Sequence, residues 1–236
     1  MLRRYAFATA LVLLFLPLFS TSALAQSIDR ARVATEIDSL RDQLKLKERE
    51  FLAPSAEDRG AFAEFLREPE TGLVRLLPRE KYQQRLTTVG GGAYYSFSQR
   101  THQYGHGSDL QLEQNELSVG FAGTDFGYLL LLGDVPLEDV GLETDGVPFL
   151  ASLASPSRTP DARTEQQHAS TGIKHGEFTY RNRVPVQAGK TYVLRSVNYS
   201  ESDTLVAFRV VRQDADGSVI LLWKMLKKFA KPQLTD

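Results

Sequence analysis

TYVLRSVNYSESDTLVAFRVVRQDADGSVILLWKM, residues 191–225, is the stretch that decides the fold. It holds three runs rich in β-branched and aromatic residues, Thr191 to Tyr199, Leu205 to Arg212 and Ser218 to Met225, each of strand length. Gln213-Asp214-Ala215-Asp216-Gly217 separates the last two and has the composition of a hairpin loop, with Gly217 able to take the positive φ that closes one. In the middle run Val206, Phe208 and Val210 share one parity, and Leu205, Ala207 and Val211 the other. Residues two apart share a face of a strand, so this strand is apolar on both faces and both need a cover. A second sheet and an amphipathic helix near the N-terminus are the natural covers.

Upstream, Glu177 to Tyr180 reads as another strand. Ser152 to Gly172 is rich in Ser, Pro, Thr and charge, and reads as a long loop or a short helix opening at Thr159-Pro160. Phe126 to Leu132 is apolar at both parities, which predicts a central strand covered on two sides. Leu110 and Leu112, then Leu117, Val119 and Phe121, alternate with polar or small residues as half-buried strands do. Before Leu86 the period is helical. Val33, Ile37, Leu40, Leu44 and Phe51 fall at three- and four-residue steps along Ser27 to Leu52, one apolar stripe on an amphipathic helix. The same residues read as a heptad seam for a partner helix, interrupted at Lys47. Ser55 followed by Asp58 predicts the start of a second helix, with Phe62, Phe65 and Leu66 as its buried stripe. Leu73 to Leu77 then reads as an apolar connector ending at Pro78. The fold expected is α+β: two N-terminal helices followed by an antiparallel β-sandwich or a strongly curved antiparallel sheet. Its organisation is a leader over 1–25, a helical region over 26–86 and a β-rich domain over 87–236 with a long loop near 152–172.

The leader has the three parts of a secretory signal: Arg3 and Arg4, the apolar run Ala6 to Phe19, and Ala23-Leu24-Ala25 before a cleavage at Gln26. Removing it takes away two of 28 basic residues and leaves 26 against 29 acidic, a charge of −3. No basic stripe gathers, and Lys224, Lys227 and Lys228 form the one late cluster. That argues against a nucleic-acid partner and against an electrostatic membrane tether. The chain has no cysteine, which excludes disulfides, thiolate metal sites and thiol nucleophiles and fits a bacterial envelope better than a eukaryotic secretory route. Strands apolar on both faces speak against a transmembrane barrel, so the mature chain is expected to have no stable membrane insertion.

Candidate chemistry is sparse. His102, His106 and Asp109 are the residues a metal could use, although Gly105 and Gly107 break the helix on which an i,i+4 histidine pair would converge. Asp214, Asp216 and Gly217 resemble the opening of a calcium loop, but Arg212 replaces its first acidic ligand and the hairpin accounts for them. Asp125, Asp134, Glu138 and Asp139 sit near strand ends and could supply the carboxylate pair of a glycoside hydrolase, or simply make turns. There is no G-x-S-x-G elbow, and Gly90-Gly91-Gly92 lacks the G-K-[ST] that would follow in a phosphate loop, so close backbone packing explains it. Tyr94, Tyr95, Phe97, His102 and Tyr104 form an aromatic and polar stretch of the kind exported β modules use to hold sugars or proteins; the candidate ligand-binding rings are Tyr94, Tyr95 and Tyr104. The expected function is a non-catalytic binding or assembly module, periplasmic or secreted, without a cofactor, whose partner is a protein or a glycan of the cell envelope. The alternatives are a secreted hydrolase acting on envelope glycans and an oligomeric structural protein using the N-terminal seam.

Overall fold

The computed structural model describes residues 20–105 and 107–235, so most of the expected leader, and His106, lie outside the described residues. The chain forms two compact units, Met1–Leu44 and Lys45–Asp236. Helix α1 runs over Ser20–Leu52. Within the first unit its residues from Asp29 to Leu44 are all exposed, and i,i+3 ion pairs such as Arg41 to Asp38 at 3.2 Å lie along it.

The second unit is α+β, with antiparallel sheets. After the end of α1 come α2 (Ala56–Ala61), a 3₁₀ turn (Phe65–Arg67), β1 (Thr71–Leu76), α3 (Arg79–Tyr82), β2 (Tyr94–Tyr95), β3 (Leu110–Glu113), β4 (Glu116–Ser118) and β5 (Phe126–Gly133). A second 3₁₀ turn (Leu137–Asp139), α4 (Val147–Ser152), α5 (Thr159–Thr171), β6 (Ile173–His175), β7 (Phe178–Tyr180), β8 (Arg183–Pro185), β9 (Thr191–Asn198), β10 (Ser202–Gln213) and β11 (Val219–Lys228) complete it. One sheet has the order β1-β11-β10-β9-β5, a second β2-β3-β4-β8, and β6 with β7 makes a small hairpin.

The meander β9-β10-β11 is the centre of the large sheet. Its last turn closes where expected, with Gly217 N–H donating to Asp214 O at 2.9 Å and Gly217 at φ 85°. The two parities of β10 also divide as the pattern requires. Val206, Phe208 and Val210 share a core with Leu110, Leu112 and Leu117 of the smaller sheet, where Phe97 meets Trp223 edge-on at 5.2 Å. Leu205 and Ala207 face the other way. The cover on that side differs from expectation: it is Leu137, Val147, Leu150 and Ala169 from the 3₁₀ turn, α4 and α5, with Phe62, Phe65 and Leu66 packed at its margin. Thus the Ser- and Pro-rich stretch 152–172 contains a true helix, α5, and with its neighbours does the covering that the sequence pattern assigned to the N-terminal helix.

Two more elements differ. Leu73 to Leu77 is not a connector, because Thr71–Leu76 pairs antiparallel with β11 as the sheet's first strand. Gly72 stands opposite Trp223, and a Cβ there would come within 2.5 Å of the indole. Only a glycine lets the ring lie across the edge strand. Phe126 to Leu132 is an edge strand, not a central one. Its apolarity on both faces is real, since Leu129 joins one core and Phe126, Tyr128 and Leu130 the other. Its open edge is closed locally by Arg181, whose N–H donates to Leu129 O at 3.1 Å while Leu129 N–H donates back at 2.6 Å.

Candidate functional surfaces

Tyr94 and Tyr95 point to opposite sides of β2, and both are buried, at 5% and 6% exposure. Tyr94 packs between Tyr104, at 4.6 Å between ring centroids, and Phe121, at 5.3 Å edge-on. Tyr95 lies against Phe97, His102 and Trp223, and burial pushes its hydroxyl up to about 12. Tyr104 is half-buried. The three rings are therefore joined to the packing of the body, with Tyr104 the one that reaches furthest toward water.

His102 Nε2 lies 2.8 Å from Arg75 O, an acceptor, so that nitrogen carries the proton and has no lone pair for a metal. Burial lowers the affinity of the ring for a second proton, and this outweighs the opposing effect of the carbonyl. Asp109 is fully buried. It accepts from Phe97 N–H at 2.8 Å and from Asn198 Nδ2 at 2.9 Å. Burial nevertheless pushes its carboxyl up to about 7. Among the described residues no three His, Asp or Glu side chains converge as a metal would require.

The carboxylates named for hydrolysis are spread over different contacts. Asp125 Oδ1 accepts the Tyr199 N–H at 2.9 Å, and Asp134 pairs with Arg209 at 2.7 Å. Asp139 and Glu138 stand in the 3₁₀ turn, where Glu138 offers its carbonyl to Lys224 at 2.8 Å. In the hairpin loop Asp214 binds Arg212 at 2.5 Å and Asp216 binds Arg75 at 2.8 Å. Gly90, Gly91 and Gly92 all have positive φ, and the position a Cβ would take on Gly92 is filled by Leu52. The triple glycine serves close packing.

A cleft of about 540 Å³ in the second unit is lined by Phe51, Ser55, Asp58, Arg75, Arg212 and Asp214 among others. Its charges are already matched. Arg212 makes two bonds to Asp58, at 2.7 and 3.1 Å, and this guanidinium, ahead of the opposing effect of burial, holds Asp58 below the usual carboxylate range. Ser55 Oγ caps α2 by accepting the Asp58 N–H at 2.9 Å. Arg75 bonds to Phe51 O, Ser218 and Asp216. Phe51 belongs to this cluster, its ring 5.6 Å from that of Tyr82, and so leaves the seam it shares in sequence.

The other four seam residues are different. Val33, Ile37, Leu40 and Leu44 are 42%, 43%, 63% and 45% exposed. They form one apolar line on a helix whose other faces carry charge, and it is the one surface where exposed apolar side chains recur at a regular spacing among the described residues.

Sequence pattern alone did not single out the buried charges of the body. Arg195 and Asp203, each with a side chain 2% exposed, pair at 2.6 Å. The Arg195 guanidinium also donates to Leu150 O and covers the Phe229 ring. Glu48 accepts four hydrogen bonds, two from each of Thr87 and Thr88. A usable signal existed for the first pair: Arg195 has the parity of Val193 and Val197, and Asp203 that of Leu205, all on the face turned to α4 and α5.

No protein-family model, curated protein or solved structure matches this chain. Among the described residues no helix is long and apolar enough to cross a membrane.

Proposed function

We propose that this chain is an exported, non-catalytic binding or assembly module of the bacterial cell envelope, and that its binding element is the seam Val33, Ile37, Leu40 and Leu44. One observation carries the reading: four large aliphatic side chains in a row stand in water, while His102, Asp109, Asp125 and Asp134 of the body are each engaged with a side chain or with backbone. Burying such a line in a partner is worth roughly 1.5–3 kcal/mol for each side chain fully covered. The export signal over 1–25 and the absence of cysteine support the compartment. The shared core between the five- and four-stranded sheets supports reading the body as a β-sandwich preceded by two helices.

The test is site-specific photo-crosslinking in a bacterium expressing the full chain. A photoreactive residue at Leu40 should give a discrete adduct that disappears when Ile37 and Leu44 are both changed to Gln. The same group at Val89, exposed on the body, should give none. Absence of any adduct at Leu40 at equal expression overturns the seam as a binding element. Fractionation should place the chain outside the cytoplasm with Gln26 at its N-terminus, and a cytoplasmic chain starting at Met1 overturns the compartment.

A further inference from the structure

We propose that residues 33–44 bind the same residues of a second copy of this chain, as a parallel two-stranded coiled coil. The proposal rests on the seam being a binding element and adds what binds it. The steps from Val33 to Ile37 to Leu40 to Leu44 are four, three and four, the alternation that keeps one line of side chains facing a partner helix. This places Val33 and Leu40 at d and Ile37 and Leu44 at a. At the centre a β-branched residue at a adjoins leucine at d, the combination that favours two parallel strands over three or four.

The flanking charges choose the occupant and its direction. In this register Glu36 is a g position and Arg41 the e position five residues later. Parallel pairing sets g of one helix against that e of its partner, so Glu36 of each copy faces Arg41 of the other, and the two-fold symmetry makes the contact twice. Turning one helix round while keeping the same four apolar layers places Ile37 opposite Leu40 and Val33 opposite Leu44. Glu36 then lies beside Gln43 and Arg41 beside Ala34, and both charge contacts are lost. Glu36 and Arg41 are drawn into pairs within their own helix, with Arg32 at 3.8 Å and Asp38 at 3.2 Å. These are exposed pairs of small worth that exchange readily. Extending the register backward reaches Arg30 at a, and forward Lys47 at d. Both would set like charges together in a pair of copies, so the paired segment ends there. So short a seam makes a weak, concentration-dependent dimer.

A chain without cysteine allows a clean experiment. Leu40→Cys in the full chain, expressed and exported, should form a disulfide-linked dimer, because in-register d positions bring the two sulfurs within bridging distance. Ser39→Cys, one residue round the helix, should stay monomeric. Adding Glu36→Arg to Leu40→Cys should cut the dimer yield several-fold, and adding Arg41→Glu to that pair should restore it. Equal dimer from Ser39→Cys, or none from Leu40→Cys, overturns self-pairing. A dimer whose yield ignores the charge changes overturns the parallel orientation. The photo-adduct at Leu40 separates the two levels of the reading. An adduct of twice the chain mass supports both, an adduct with another protein keeps the seam and overturns self-pairing, and no adduct overturns both.

Discussion

Residues 45–236 and residues 29–44 reverse each other's economy of burial. In the β-rich unit charged groups lie inside, and each is held: Arg195 by Asp203, Asp109 by Asn198 and the Phe97 amide, Glu48 by two threonines. In the helical unit the apolar groups lie outside and the charged ones pair in water. A buried charge tolerates its desolvation only with partners in place, which locks the β-rich unit to one arrangement. The exposed aliphatic line has no such internal answer. Under the proposed reading, rigidity and binding are divided between two stretches of one chain.

Taking away one half of the buried pair should break the first side of this comparison most severely. Asp203→Ala leaves the Arg195 guanidinium without its anion and also loses the Ser155 hydroxyl that donates to Asp203 at 2.5 Å. A loss of about 3–5 kcal/mol is expected, read from urea unfolding of the purified chain. Replacing both residues together with Met and Leu should recover most of it, since an apolar pair incurs no desolvation cost. A single change costing under about 1 kcal/mol would mean that the pair does not organise the unit.

Asp109 gives a pH signature of opposite sign to most carboxylates. Burial raises its folded pKa to about 7 from an ordinary 3.8. Below 3.8 the carboxyl is protonated folded or unfolded and contributes nothing. Between 3.8 and about 7 the unfolded chain ionises while the folded one resists, so stability falls as pH rises, by up to about 1.4 kcal/mol per pH unit. Asp109→Asn should remove that slope, and the difference between the two urea profiles isolates it. Identical slopes would show that its hydrogen-bond donors compensate burial fully. Glu48 runs the other way. Burial acts to raise it, but the Thr87 and Thr88 bonds outweigh this and hold it low, so its contribution is present above the unfolded carboxylate value and lost as pH falls through the lower folded one. Glu48→Ala should cost about 1–3 kcal/mol near neutrality and less in acid.

Much of this could be read from the chain. The meander β9-β10-β11, its hairpin and the two apolar parities of β10 follow from local pattern, because strand faces alternate whatever surrounds them. The seam of four aliphatics is equally local. What escaped depends on distant partners. Thr71–Leu76 carries Arg75 in a short apolar run that resembles a linker, and only Asp216 and Ser218, far along the chain, show where that guanidinium goes. Phe126–Gly133 looks central because it is covered twice, and no local pattern shows that its outer edge is met at one residue by Arg181. The aromatic stretch 94–104 offered the right side chains for a sugar platform, but the neighbours that bury Tyr94 and Tyr95 are Phe121 and Trp223, set by sheet pairing.

The comparison is sharpest when one substitution is made on both sides of it. Leu76 is fully buried in the core between the sheets, and Leu40 is 63% exposed. Leu76→Ala should cost about 2–5 kcal/mol, because it removes a packed side chain and leaves a cavity. Leu40→Ala should change the unfolding free energy of the β-rich unit by less than about 0.5 kcal/mol, the smallest effect expected here, while weakening capture of whatever occupies the seam. The two readouts separate folding from binding at equal chemistry. A Leu40→Ala chain that unfolds as readily as Leu76→Ala would make the seam part of the protein's own core, and the division between a rigid body and a binding helix would fall with it.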